Sequence, residues 1–255
     1  MTNTYVYGVL EDTDAAGLEP LNGGGLGPVR TLSSGGLTAL CSDATGEVMG
    51  RRRELAAHAD LLATVCQQVP VVPLTFGTVL PDDDAVRVEL LERLGDHLHA
   101  ELRRLAGVVQ FAVTVRLERE VVLGDIVRGD PRLAQLNERV KRLPPGSGQA
   151  ERLRLGEAVA AAYERAAGSI GDSVVGELAR SAVDRAQEQP VDQDGTTALA
   201  LLVDRGQVKR FLSQAGQVAE GLAGRAVLRV VGPLPPYSFL APMPEPTARS
   251  SGAWD

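Results

Sequence analysis

Val109-Gln110-Phe111-Ala112-Val113-Thr114-Val115-Arg116-Leu117-Glu118 alternates apolar with polar or small side chains along its length. Successive residues of a strand face opposite sides, so this stretch reads as a β-strand with one apolar face. Immediately before it, residues 82–106 show a different period. Leu91, Leu94, Leu98, Leu102 and Leu105 recur at three- and four-residue steps, which is the face of a helix. Gly107 ends that helix, and Pro81-Asp82-Asp83-Asp84 opens it with a capping carboxylate and acids in the first turn.

Further back, Leu55, Ala59, Leu62, Cys66 and Val69 make one stripe along a helix over residues 51–68. Val69–Pro81 links the two helices. It is apolar, uncharged and bracketed by prolines, and reads as a buried extended bridge. Pro73 lacks an N–H for a sheet ladder, so the bridge belongs at an edge or a bulge. Thr4–Leu10 is a strand rich in Tyr and Val. Val29–Ser33 and Leu37–Asp43 flank Ser34-Gly35-Gly36 as a hairpin. The order strand, hairpin, helix, bridge, helix, strand predicts an antiparallel sheet with two helices on one face, in a ferredoxin-like layout.

The second half is more helical. Asp130-Pro131 opens a helix bearing Leu133, Leu136, Val140 and Leu143, and the Pro144–Gly148 run breaks it. Residues 149–187 read as one long helical segment, with Leu153, Ala160, Tyr163, Ala167, Ile170, Val174 and Leu178 on a near-heptad stripe. It suits a helical hairpin packed on a sheet, or a partner-binding arm. Val121–Val127 reads as a connector or short strand. Thr196–Asp204, Gly206–Gly221 and Arg225–Gly232 form a strand–helix–strand unit. The fold class is therefore α+β in two domains: a ferredoxin-like domain over 1–120 and an α+β domain with long helices over 121–240. A tail without periodicity follows over 241–255.

Composition sets limits on function. The chain has 255 residues, 44% hydrophobic and 23% charged, enough apolar content for a buried core. A net charge of −7 argues against a nucleic-acid footprint. No apolar run approaches a membrane span, and the start lacks a secretory pattern, so a cytoplasmic protein without membrane contact is expected. Two cysteines, Cys41 and Cys66, rule out a disulfide scaffold or cysteine-rich metal site, and both lie on apolar stripes. His97 and His99 are two apart on a helix and point in different directions, so they do not form a helical metal motif. The glycine-rich loop at 22–28 lacks the Gly-Lys-Ser/Thr of a phosphate loop. Arg51-Arg52-Arg53 reads as a solvated turn or a docking point for an acidic partner. No catalytic residue, metal site or cofactor site emerges.

Several segments carry a resemblance. Pro70-Val71-Val72-Pro73-Leu74-Thr75-Phe76-Gly77-Thr78-Val79-Leu80 is similar to a signature segment of the gas vesicle protein F/L family. Ala198–Asp204 and Val231-Gly232-Pro233-Leu234-Pro235-Pro236-Tyr237-Ser238-Phe239 resemble that family's C-terminal segments, and Tyr5-Val6-Tyr7 fits its start. Thr75, Leu80 and Leu234 depart from the usual Arg, aromatic and Trp. The resemblance implies a non-enzymatic accessory protein of gas vesicle formation. It would bind the small hydrophobic shell protein, with other accessory proteins as further partners, in the cytoplasm and at the vesicle. It would limit shell-protein aggregation and support nucleation or growth. Phe76, Tyr237 and Phe239 are the candidate partner-binding or domain-interface residues. The competing reading is a small-molecule enzyme or ligand sensor on a ferredoxin-like scaffold, with a pocket near His58, His97 or Cys66.

Overall fold

A computed structural model describes residues 3–19, 21, 23, 26–44, 51–144, 146–190, 192 and 195–243. Asn22, Gly24 and Gly25 of the glycine-rich loop and residues 244–255 of the expected tail lie outside the described residues. The chain divides into two compact units: Met1–Gly107 with the segment from Pro233, and Val108–Gly232.

The first unit is built on strands β1 (Asn3–Glu11), β2 (Arg30–Ser34), β3 (Leu37–Ala44), β4 (Val72–Pro73) and β5 (Val79–Leu80). Their order is β2-β3-β1-β4, with β5 also on β1, and the pairings are antiparallel. This is the strand order of a ferredoxin-like sheet, with the first crossover helix reduced to α1 (Asp12–Ala15). The hairpin between β2 and β3 turns on Gly35 and Gly36. Both have positive φ (62° and 83°), as a two-residue turn matching the strand twist demands.

The fourth position in this sheet corrects one expectation. It is filled by the bridge, not by the alternating stretch at 109–118. Pro73 pairs with Gly8 at the sheet's edge, where its missing N–H costs no ladder bond. Gly8 is required there, because a Cβ on it would sit 2.9 Å from the Val72 carbonyl oxygen.

The helices also depart from the expected one-face arrangement. α2 (Arg52–Gln68) packs Leu61, Leu62, Val65 and Cys66 against Tyr5, Tyr7, Leu10 and Leu40. α3 (Asp83–Ala85), a π-helical stretch (Val86–Glu92) and α4 (Gly95–Leu105) cover the opposite face, where Thr4 bonds Asp83. β1 is thus buried on both sides from Thr4 to Leu10. Asp82 caps this run by accepting from the Ala85 N–H at 2.8 Å.

The second unit holds strands β6 (Val108–Leu117), β7 (Asp184–Gln189), β8 (Thr196–Asp204) and β9 (Ala226–Leu234), in the order β7-β8-β6-β9. The alternating stretch is therefore an interior strand here, antiparallel to β8 from Val108↔Asp204 to Arg116↔Thr196. The expected boundary near residue 120 differs from the observed division at Gly107 for this reason. Its apolar face, with Phe111, Val113 and Val115, packs on α7 (Gln149–Ala179) and α8 (Val208–Gly221).

Residues 119–129 form a helix, α5 (Arg119–Gly129), where a connector or strand was expected. It is followed by α6 (Pro131–Lys141), capped by Asp130. The long helix ends at Ala179, and residues 184–189 are strand β7. Within α7 the stripe is buried only from Tyr163 to Leu178, and Leu153 is 63% exposed.

Candidate functional site

Three of the segments that stand out in the sequence, around Tyr5–Tyr7, Leu74–Phe76 and Tyr237, meet in the first unit around His58, while Ala198–Asp204 lies in β8 of the second. α2 brings His58 inward because its buried face runs Glu54, His58, Leu61, Leu62, Val65, Cys66. That is one position away from the expected stripe, and Leu55 is left 45% exposed. Two polar residues on the buried face hid it. Glu54 closes a capping box with the Arg51 backbone, and His58 spends its polarity on hydrogen bonds.

His58 is 3% exposed. Its Nδ1 lies 2.7 Å from the Tyr5 hydroxyl, and its Nε2 lies 2.9 Å from the Tyr237 hydroxyl and 3.2 Å from the Leu74 carbonyl oxygen. A carbonyl can only accept, so Nε2 carries a proton, and in the neutral ring that burial favours Nδ1 accepts from Tyr5. The Gly77 N–H donates to the Tyr5 oxygen at 3.4 Å, and Tyr237 donates to the Leu74 carbonyl at 3.3 Å. Every polar atom of the cluster then has a role, and the imidazole is neutral. Burial pushes the His58 pKa down, partly offset by the Leu74 bond. Burial also pushes Tyr5 up to about 12 and raises Tyr237, so both phenols stay protonated.

Aromatic rings enclose the imidazole. Tyr7 stacks on it at 5.6 Å between centroids, and Phe76 meets it edge-on at 5.7 Å. Tyr5 and Tyr7 come within 4.9 Å of each other. Two positions apart on β1, both face α2, and the register shift between Val6 and Gly8 brings Leu10 to the same side. Phe76 reaches the cluster because residues 74–78 leave the sheet and return between β4 and β5. Leu74 N–H bonds the Tyr7 carbonyl on the way out, and Val6 N–H bonds the Thr78 carbonyl on the way back.

The C-terminal segment is fastened at a second point. Glu101, 5% exposed, accepts from Arg104 at 2.6 Å and from the Ala241 N–H at 3.0 Å. Arg104 also donates to the Phe239 carbonyl, and the Phe239 ring is buried. Arg104 draws the Glu101 pKa down. Of the three candidate residues, Phe76 and Tyr237 converge on His58, while Phe239 is held by the Glu101–Arg104 pair. Tyr237 keeps 39% of its surface exposed although its hydroxyl points inward. Sequence reasoning missed Glu101 and Arg104 as anchors. Their three-residue helical spacing was the one available signal.

Of the remaining titratable candidates, Cys66 lies in the same core as Tyr5 and Tyr7, and His99 is placed elsewhere. Cys41 and Cys66 are buried thiols, and burial pushes Cys41 up to about 12. His99 bonds Glu11 at 2.9 Å and the Gly35 carbonyl oxygen at 3.1 Å. Among the described residues no three His, Cys, Asp or Glu side chains gather as a metal site, and no helix is long and apolar enough to cross a membrane.

The chain is thus a two-sheet α+β protein in which Tyr5, Phe76 and Tyr237 meet at a buried histidine. The chain belongs to the gas vesicle synthesis protein GvpL/GvpF family, whose family model matches residues 3–241. It is 35% identical over 244 residues to gas vesicle protein F of a Streptomyces species, covering 93% of this chain and 99% of that protein. In fold it is similar to the crystal structure of GvpF from Microcystis aeruginosa, at a TM-score of 0.70 and 21% identity over 94% of this chain and 100% of that one. GvpF from Anabaena is also similar, at a TM-score of 0.72 and 21% identity over 94% of this chain and 97% of that one. Family membership gives the chain a gas vesicle-related role.

Proposed function

We propose that the protein is a gas vesicle assembly factor that binds the hydrophobic shell protein. It limits that protein's aggregation and supports vesicle nucleation or growth, in the cytoplasm and at the vesicle. The observation that carries this reading is the family match, which runs from the first strand to the C-terminal segment. A subunit that will line a gas space exposes apolar surface before assembly, and such surface aggregates unless covered. Covering it takes a rigid binding surface and no bond-making chemistry. The histidine cluster suits that role, since both ring nitrogens are committed to structural bonds. Other gas vesicle accessory proteins are further partners.

Phe76, Tyr237 and Phe239 are proposed to act as anchors of the rigid unit, beneath the surface the partner uses. The test is co-expression with a shell subunit, followed by affinity capture and by counting vesicles in a deletion strain. Capture of the subunit and loss of vesicles are expected. No capture together with normal vesicles would overturn the proposal. Alanine at each aromatic is expected to lower the melting temperature along with binding. Lost binding at an unchanged melting temperature would make them contact residues instead.

A further inference from the structure

Strand β7 ends the second sheet, and among the described residues no strand pairs with its outer side. Asp184, Arg185 and Glu188 on it are exposed, and Val183 just before it is 64% exposed. An edge of this kind presents unpaired backbone N–H and C=O groups, a template for another strand. Beside it, between α7 and the β7–β8 pair, lies a cavity of about 370 Å3. Its inner lining is Gly171, Thr197 and Leu199, all buried, with Val175 and Ala186 partly so. Glycine at 171 places no side chain there. Asp172 and Arg185 line the cavity and are exposed. Neither forms an ion pair with the other or with any described residue. Arg185 pairs in register with Leu201, whose side chain is in the core under the helices, so Arg185 points to the helix side.

We propose that the β7 edge and this cavity together receive an extended segment of another polypeptide. The segment pairs its backbone with β7 and sets one aliphatic side chain into the cavity. Residues two positions to either side share that face. The one near Arg185 is acidic and the one near Asp172 is basic. Backbone pairing supplies affinity, and the cavity with its two opposite charges supplies selectivity. The inference stands independently of the shell-protein reading, because it rests on the strand edge and the cavity alone.

The test titrates the isotope-labelled full chain with the capped peptide Thr-Glu-Thr-Leu-Thr-Lys-Thr and with the same peptide whose Glu and Lys are exchanged. Amide shifts are followed by NMR to about 5 mM peptide, a range that detects weak strand addition. One charge order is expected to bind better, with shifts confined to Gly171, Val175, Arg185, Ala186, Leu199 and their neighbours. Replacing the central Leu by Asp, or N-methylating alternate backbone amides, is expected to weaken binding about tenfold or more. The double variant Asp172→Arg, Arg185→Glu is expected to invert the charge preference, and Val175→Lys to abolish binding of both peptides. No shift at these amides with either peptide overturns the proposal. So does equal binding of the Asp-centred or N-methylated peptide, the latter pointing to a small-ligand cavity.

Discussion

Tyr237 and His58 lie 179 positions apart in the chain, yet a 2.9 Å hydrogen bond joins the Tyr237 hydroxyl to His58 Nε2. The bond ties a Pro-rich C-terminal segment to the second helix of the first unit. Tyr237→Phe keeps the ring and removes the hydroxyl, leaving Nε2–H with the Leu74 carbonyl at 3.2 Å. The expected loss is about 1 kcal/mol, or a fall of about 2–4 °C in melting temperature for a chain of this size. A thermal melt of the purified variant reads this directly. An unchanged midpoint would show that the bond contributes nothing net.

Glu101 holds the same segment by a different route. It is buried, and it joins Arg104 to the Ala241 N–H. Glu101→Ala leaves Arg104 without its carboxylate and Ala241 without its acceptor, at an expected cost of about 1–3 kcal/mol. The local consequence is more telling than the global one. Amide hydrogen exchange at residues 239–241 should speed up by more than exchange in β1 does. Uniform acceleration across the first unit would instead mean that the segment and the sheet open together.

Much of this architecture is legible in the sequence, and its failures have physical causes. The periods of residues 109–118 and 208–221 are clean because each element has one buried apolar face, whereas residues 82–106 are interrupted by a π-helical stretch and β8 is buried on both faces. Pairing is not written in period: residues 109–118 read as a strand but carry no mark of which sheet they join. Residues 119–129 contain Val121, Val122, Ile126 and Val127, which suit a strand, and tertiary packing on α7 makes them a helix instead. Arg185-Ala186-Gln187-Glu188 suits a helix by propensity, and pairing with β8 makes it a strand. The histidine cluster was half legible. Phe76 and Tyr237 stand out as motif residues, but a buried polar face on α2 is invisible to a search for apolar stripes.

Gly232 explains one letter of the C-terminal motif. A Cβ there would lie 2.5 Å from Phe111 Cδ1 and 2.9 Å from the Gln110 carbonyl oxygen. Phe111 is fully buried and its ring centroid sits 4.8 Å from that of Phe211, so it has little room to yield. Gly232→Ala should therefore cost about 1–3 kcal/mol by overpacking. Chemical denaturation should show a lower midpoint with the same slope. The paired change Gly232→Ala, Phe111→Leu should recover part of the loss, and no recovery would place the clash on the backbone instead.

The two placed histidines should give opposite pH dependences. His58 has its pKa lowered by burial from an ordinary value near 6.5, so the folded state prefers the neutral ring. Its contribution is complete above the unfolded value and is lost as pH falls below about 6.5 toward the folded one. His99 has its pKa raised, first by its bond to Glu11 and then by the Gly35 carbonyl, so the folded state prefers the charged ring. Its contribution is complete below the unfolded value and is lost as pH rises through the folded one. His58→Gln should thus flatten the fall in stability on acidification, and His99→Gln should flatten a fall on raising pH from about 6 to 8. Melting temperatures of the three proteins across pH 5 to about 8 separate the effects. If His58→Gln steepened the acid limb instead, the neutral ring that burial favours would be wrong.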